Sequence, residues 1–287
     1  MIDIAMYAAA GAAVGFLVGL TGVGGGSLMT PLLLLFGFPA HTAVGTDLMY
    51  AALTKASGVA AHHIKKTIEW RIVFAMAAGS LPASGVTVYF LANHFTSPEH
   101  YQSLLTSTLG IMLILTSLVL LFKNQIIHWA TSDSTTSDSA HSDSAASSPA
   151  SAYTSTSTNS ARWLRFSHNH HYMATFIMGI VLGIFVTLSS VGAGAFGTAV
   201  LLILFPKLSS IKVVGTDIAH AVPLTLAAGI GHWYLGNVDF VLLGGLLIGS
   251  LPAIYVGIYI AGKMPNNLLH PILSTALLAI GVKYTFF

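Results

Sequence analysis

Cysteine is absent from the chain, and charge is scarce: 287 residues include only 11 Lys+Arg and 9 Asp+Glu. The first absence excludes disulfides, thiolate metal sites and cysteine nucleophiles. The second excludes an ordinary water-soluble fold. Charged residues make up 7% of the chain, against about 25% in a typical soluble domain. Hydrophobic residues reach 54%, more than a soluble molecule of this size can turn away from water. A bilayer removes the conflict, because side chains that face lipid are free to be apolar. The net charge of +2 offers no basis for nucleic-acid binding. The first 19 residues are apolar, carry Asp3 and have no basic n-region. They are expected to form a first membrane helix rather than a cleaved signal peptide.

What is present is long apolar runs. A spanning helix needs about 20 apolar residues. Segments are predicted near 4–21, 27–38, 43–62, 72–92 and 103–122, and again near 173–190, 196–206, 213–234, 239–260 and 268–286. The second segment of each set is too short to span. Each follows a glycine cluster, Gly22-Val23-Gly24-Gly25-Gly26 or Gly192-Ala193-Gly194-Ala195. Glycine weakens helices and bares backbone, and bare backbone at membrane depth persists only where it faces protein or a water-filled cavity. The clusters therefore predict broken helices lining a cavity. Between the two sets, residues 131–160 are almost all Ser, Thr, Ala and Asp, too polar to pack. The expected organisation is a first transmembrane repeat over 1–122, a polar, flexible, cytoplasmic linker over 123–171, and a second transmembrane repeat over 172–287.

The two sets match each other at an offset of 170 positions. Val44-Gly45-Thr46-Asp47 falls on Val214-Gly215-Thr216-Asp217, and Gly79-Ser80-Leu81-Pro82-Ala83 on Gly249-Ser250-Leu251-Pro252-Ala253. Gly22 and Gly24 fall on Gly192 and Gly194, His62 on His232, and Glu69 on Asp239. Shared membrane composition does not account for matched Asp, His and Pro. Basic residues orient the copies. With the Lys65, Lys66 and Arg71 loop in the cytoplasm, Lys123, Arg162, Arg165, Lys207, Lys212 and Lys263 also fall inside, while loop 93–102 has no Lys or Arg. Five segments per copy then place the copies upside down relative to one another, the plan of many secondary transporters. The fold class expected is an all-α integral membrane protein of two inverted repeats, in the cytoplasmic (inner) membrane, with both termini outside the cytoplasm.

These residues resemble the TauE/SafE family of membrane transporters, the sulfite exporters. The resemblance rests on Gly22 to Gly26 with Pro31, on Ala43-Val44-Gly45-Thr46, and on a weaker second copy: Gly192-Ala193-Gly194, Val214-Gly215-Thr216, His232 and Gly236-Asn237-Val238-Asp239. It covers nearly the whole chain apart from the linker. It implies carriage of sulfite, thiosulfate or organosulfonates without ATP hydrolysis. The partners expected are a small anion, a coupling proton or sodium ion, membrane lipid and, as an option, a second copy of the chain. No cofactor, metal or enzymatic activity is expected.

The helix breaks offer backbone N–H donors and the positive end of a helix dipole, which together bind anions. Candidate substrate-binding residues are therefore Gly22, Gly24, Gly25, Gly26, Ser27, Thr30, Ser189, Ser190, Gly192, Gly194 and Thr198. The competing reading of the glycines is close helix packing. Intramembrane polar or coupling candidates are Thr46, Asp47, Lys55, His62, Thr216, Asp217, His220 and His232, since ionisable residues in a membrane are costly and default to function. Lys55 would offset substrate charge, or pair internally with Asp47 or Asp217. The aspartates would line the path, or cap the starts of their own helices. Pro82 and Pro252 read as hinges or as shape elements. Gly22 to Ser27 lacks the Gly-Lys-Ser/Thr of a phosphate loop. A serine hydrolase using Ser27 or Ser190 has nothing to fix a base beside it. The principal rival is a divalent-cation transporter or channel using the aspartates and histidines.

Overall fold

A computed structural model describes residues 2–21, 28–95, 98–122, 160–261 and 266–286. Ten α-helices and no strand occur among them. In chain order they are α1 (Ile2–Thr21), α2 (Met29–Leu35), α3 (Ala40–Ile64), α4 (Trp70–His94), α5 (Gln102–Leu121), α6 (Ser160–Ser189), α7 (Ala195–Leu204), α8 (Ser210–Tyr234), α9 (Phe240–Ala261) and α10 (Asn266–Phe286). A single 3-10 turn, Pro98–Tyr101, leads into α5. An all-helical, multi-pass membrane protein is what this chain builds. In lipid, only a helix or a closed barrel satisfies its backbone internally. Five helices are long and apolar enough to cross, with spans at Trp70–His94, Gln102–Leu121, Tyr172–Ser189, Ser210–Tyr234 and Phe240–Gly257. Large apolar side chains such as Phe74, Ile177, Ile230 and Ile248 point outward, where lipid replaces water.

The helices follow the predicted segments closely, with one extension. Helix α6 starts at Ser160, inside the stretch read as linker; residues 123–159 of that stretch lie outside the described residues. Helices α2 and α7 have 7 and 10 residues, about 10 and 15 Å at the α-helical rise, well short of a crossing. Helix α2 stops because Gly37 (φ 87) supplies a left-handed turn, with Gly37 N–H donating to Leu34 O and Phe38 N–H to Leu33 O. Pro39 then forbids continuation.

The two halves interlock. The main packing pairs are α1 with α9, α4 with α6, α5 with α10, and α3 with α8. Each pair joins the first half to the second. Gly11 and Gly15 of α1 lie against Leu246 and Ser250 of α9, too close for any side chain. Gly179 and Gly183 of α6 lie in the same way against Met76 and Ser80 of α4. This is one small-xxx-small contact made twice. Hydrogen bonds repeat it: Asp239 N–H donates to Thr46 Oγ1 (3.1 Å), and Glu69 N–H donates to Thr216 Oγ1 (3.0 Å). Each residue meets the counterpart of its own partner, the reciprocity of a two-fold contact. Gly58 of α3 approaches Ile218 of α8, while Met49 approaches Gly229, so these equivalent helices run antiparallel.

The contacts also sharpen the register. Residues of α3 and α4 find counterparts 170 positions on (Met76 to Leu246), but those of α1 find them 168 on (Gly11 to Gly179). The second half has two extra residues between its short helix and α8. The match of Gly22 and Gly24 with Gly192 and Gly194 involves residues outside the described ones.

Candidate substrate site

The site is built where the second helix break meets the two central helices. Helix α6 ends at Ser189, and the chain turns through Ser190 (φ 58), Gly192 (φ 124) and Gly194 (φ 147) before α7 begins. A left-handed serine is strained, which glycine at the next sharp bends avoids. The turn leaves the Ala193 carbonyl free of helix bonding. Lys55 of α3, 7% exposed, donates from Nζ to that oxygen at 2.9 Å. The second half's break is thus tied to the first half's central helix.

Two aspartates flank this ammonium. Asp47 of α3 and Asp217 of α8 are fully enclosed, and both lie within electrostatic reach of Lys55. Asp47 Oδ2 accepts from Thr30 N–H (3.2 Å) and from the Thr30 hydroxyl. Asp217 Oδ2 accepts from Thr198 Oγ1 at 3.2 Å. Thr30 and Thr198 stand in the first turns of α2 and α7. Each aspartate therefore sits at the start of its own half's short helix, where the dipole favours negative charge. Capping of their own helices does not occur: α3 and α8 begin at Ala40 and Ser210, two turns earlier. A direct ion pair with Lys55 is not made either; among the described residues the one ion pair is Lys212 with Glu69 (2.6 Å). Isolating a charge from water costs several kcal/mol. Three charged groups gathered in one buried place signal a polar interior retained for function.

The remaining candidates divide. Gly22, Gly24, Gly25, Gly26 and Ser27 lie outside the described residues. Ser190 is buried beside Asp47, yet its Oγ and Asp47 Oδ1 miss hydrogen-bonding geometry. Ser189 is occupied locally, donating to Phe185 O and accepting from Val191 N–H. Thr46 and Thr216 bind the cross-repeat amides. His220, one turn beyond Asp217, shares a hydrogen bond of 2.8 Å with Ser80. His62 and His232 stand away from the aspartates at opposite ends of the central pair. His62 Nδ1 contacts Thr67 Oγ1 at 2.8 Å and is half-buried. His232 is fully buried, with Nε2 2.9 Å from Thr187 O and Nδ1 3.0 Å from Asn237 Nδ2. Satisfying both contacts requires the neutral tautomer protonated on Nε2.

Sequence reasoning missed Gly197, Asn237 and Tyr101 as members of these networks. Gly197 packs directly on the Asp217 carboxylate, leaving no room for a side chain. Asn237 Nδ2 donates to Tyr101 OH at 2.7 Å and extends the His232 network to the 3-10 turn. Burial pushes the Tyr101 phenol up while the Asn237 hydrogen bond opposes it. The Gly236-Asn237-Val238-Asp239 run contained the signal, since Asn237 stands where the first half has Thr67.

The profile described as sulfite exporter TauE/SafE matches residues 7–284. Probable membrane transporter protein YjnA of Bacillus subtilis (strain 168) is 32% identical over 270 residues, 94% of this chain and 95% of its own length. Probable membrane transporter protein YdhB of the same strain is 29% identical over 256 residues, 89% of each chain. A third, probable membrane transporter protein YunE, is 43% identical over 68 residues, 23% of this chain and 25% of its own. No solved structure matches. Nearly the whole chain, including both broken helices and both aspartates, is covered, and the protein belongs to the TauE/SafE family of membrane transporters and is not an enzyme.

Proposed function

We propose that the chain is a secondary transporter of small sulfur-containing anions (sulfite, thiosulfate or an organosulfonate) working by alternating access between two inverted repeats. The observation that carries this reading is Lys55. It is a buried ammonium at the junction of the halves, hydrogen-bonded to a helix-break carbonyl. A sulfonate or sulfite offers acceptor oxygens only, and Lys55 with the break's backbone N–H groups offers donors. The substrate-binding set is Lys55 with the breaks at Gly22 to Thr30 and Ser189 to Thr198.

Reciprocal contacts and antiparallel α3 and α8 support the inverted arrangement. The Lys212–Glu69 pair supports an orientation with the Lys65 loop inside, because it draws Lys207 and Lys212 to the same end as Lys65, Lys66 and Arg71. Both termini are then extracytoplasmic. The two carboxylates favour a second reading, transport of a divalent cation. Their Oδ2 atoms, however, face hydroxyl and amide donors rather than spare oxygen ligands, and an ammonium stands beside them. A thermal-shift screen of purified protein separates the readings. Sulfite, thiosulfate or a sulfonate should raise the melting temperature. Stabilisation by divalent cations alone would replace the anion reading with its rival.

A further inference from the structure

We infer that each anion crosses together with a proton, carried on Asp217; this rests on the anion-transport reading above. Charge must balance in a closed space. The charged group facing the Asp217 carboxylate among the described residues is Lys55 from α3, which lies in turn within electrostatic reach of Asp47 and of His220, one turn beyond Asp217 on α8. α7 contributes Thr198 and Gly197. In α4 and α6, residues 72–93 and 172–189 contain no Asp, Glu, Lys or Arg. Glu69, at the start of α4, is spent on Lys212. With both aspartates ionised, the site holds two negative charges and one positive. An anion drawn to Lys55 would make three negative charges against one, buried together.

A proton on one aspartate relieves this, and the geometry selects which. Asp47 is held by two donors from Thr30. Asp217 is held by one hydroxyl at 3.2 Å, while the Oδ1 of each aspartate has no hydrogen-bond partner among the described residues, so the weaker hold on Asp217 is what separates the two. Asp217 is the carboxylate free to trade its charge. When the anion takes over Lys55, a proton from water on the side of entry adds to Asp217 Oδ1. It returns to water on the opposite side as the anion leaves. Proton and anion each favour binding of the other, and such coupling is reciprocal. Mutually favoured ligands travel together, whereas mutually exclusive ligands are exchanged. Sodium is a poor substitute, because the donors around the carboxylates and the adjacent ammonium repel it.

The test uses proteoliposomes of the full chain with a pH-sensitive dye in the lumen. Methanesulfonate is the probe, since it carries no titratable proton. The expected result is lumen acidification in step with sulfonate uptake, and uptake accelerated about tenfold by an inward proton gradient. In Asp217→Asn, sulfonate uptake should lose both properties, while Asp47→Asn keeps proton flow in proportion to whatever sulfonate it moves. Sulfonate entry without acidification, a sodium gradient driving it instead, or an Asp217→Asn protein that still couples would overturn the inference. If the variant fails to insert, the wild-type ratio of proton to sulfonate decides. If no sulfur anion moves through the wild type under any gradient, the transport reading fails and this inference falls with it.

Discussion

Lys55 has no counterpart in the other half: Thr225 stands where a second lysine would be, with its hydroxyl turned back to Ala221 O (2.8 Å). The proposed anion site therefore has its positive charge from one half only. Replacing Lys55 with Met removes the charge and keeps most of the apolar stem. Losing one partner of a buried charge contact costs about 2–5 kcal/mol. Transport at low substrate should therefore fall at least about thirtyfold, with membrane insertion intact. Lys55→Arg should restore part of the activity by raising KM more than it lowers kcat. Unaltered kinetics for Lys55→Met in vesicles would remove Lys55 from the site. At this scale the sequence was partly legible. Asp47, Lys55 and Asp217 stood out because charge is rare in a spanning helix. Their partners did not, because Ala193 lies 138 positions from Lys55 and only the folded chain brings it near. Ser189 read as a substrate donor and Thr46 and Thr216 as intramembrane polar or coupling candidates; in the fold their hydroxyls bond to the α6 end and to the cross-half amides.

Among the elements, the turns that end α3 and α8 share one design. After α3, Lys66 N–H donates to His63 O and Thr67 N–H to His62 O; after α8, Gly236 N–H donates to Trp233 O and Asn237 N–H to His232 O. Both are Schellman caps, and both need a left-handed residue: Lys66 (φ 53) and Gly236 (φ 77). Nothing lies within 4 Å of a side chain placed on Gly236. Gly236→Ala should thus cost only the conformational strain, about 1–2 kcal/mol, visible as a lower melting temperature with substrate binding preserved. A much larger loss would mean that the turn makes contacts beyond those seen. The short helices were legible because Pro31 and the glycine clusters cut the apolar runs. The register between halves was not fully so. Identical blocks in α3 and α4 set an offset of 170, and two residues gained before α8 are invisible in those blocks. The small-xxx-small pairs Gly11/Gly15 and Gly179/Gly183 were present as a pattern, and packing of α1 on α9 and α6 on α4 gives them their meaning.

As a whole molecule, the transporter has five described helices in each half, and the halves are woven through each other rather than set side by side. The first helix of each half packs on the fourth helix of the other, and both central helices bring an aspartate to the start of a short helix. Such a frame can move as two bodies only if the cross-repeat contacts near Thr46 and Thr216 alternate. One end holds the buried Tyr101–Asn237–His232 network; the other holds a half-exposed ion pair between Lys212 and Glu69. The two ends are thus closed by different means, a buried hydrogen-bond network at one and a half-exposed ion pair at the other. The number of apolar segments could be read from the chain; which helix packs on which in the other half could not, because apolar faces in lipid carry no label for their partner.

Carriage of sulfur anions through a site at the junction of the halves is read out by counterflow. Proteoliposomes loaded with unlabelled sulfite, thiosulfate or a sulfonate are diluted into the radiolabelled anion. Transient, saturable accumulation of label above equilibrium is expected for at least one of these anions, together with its loss in Lys55→Met. Absence of accumulation for all three, with divalent-cation flux through the same vesicles, would contradict it.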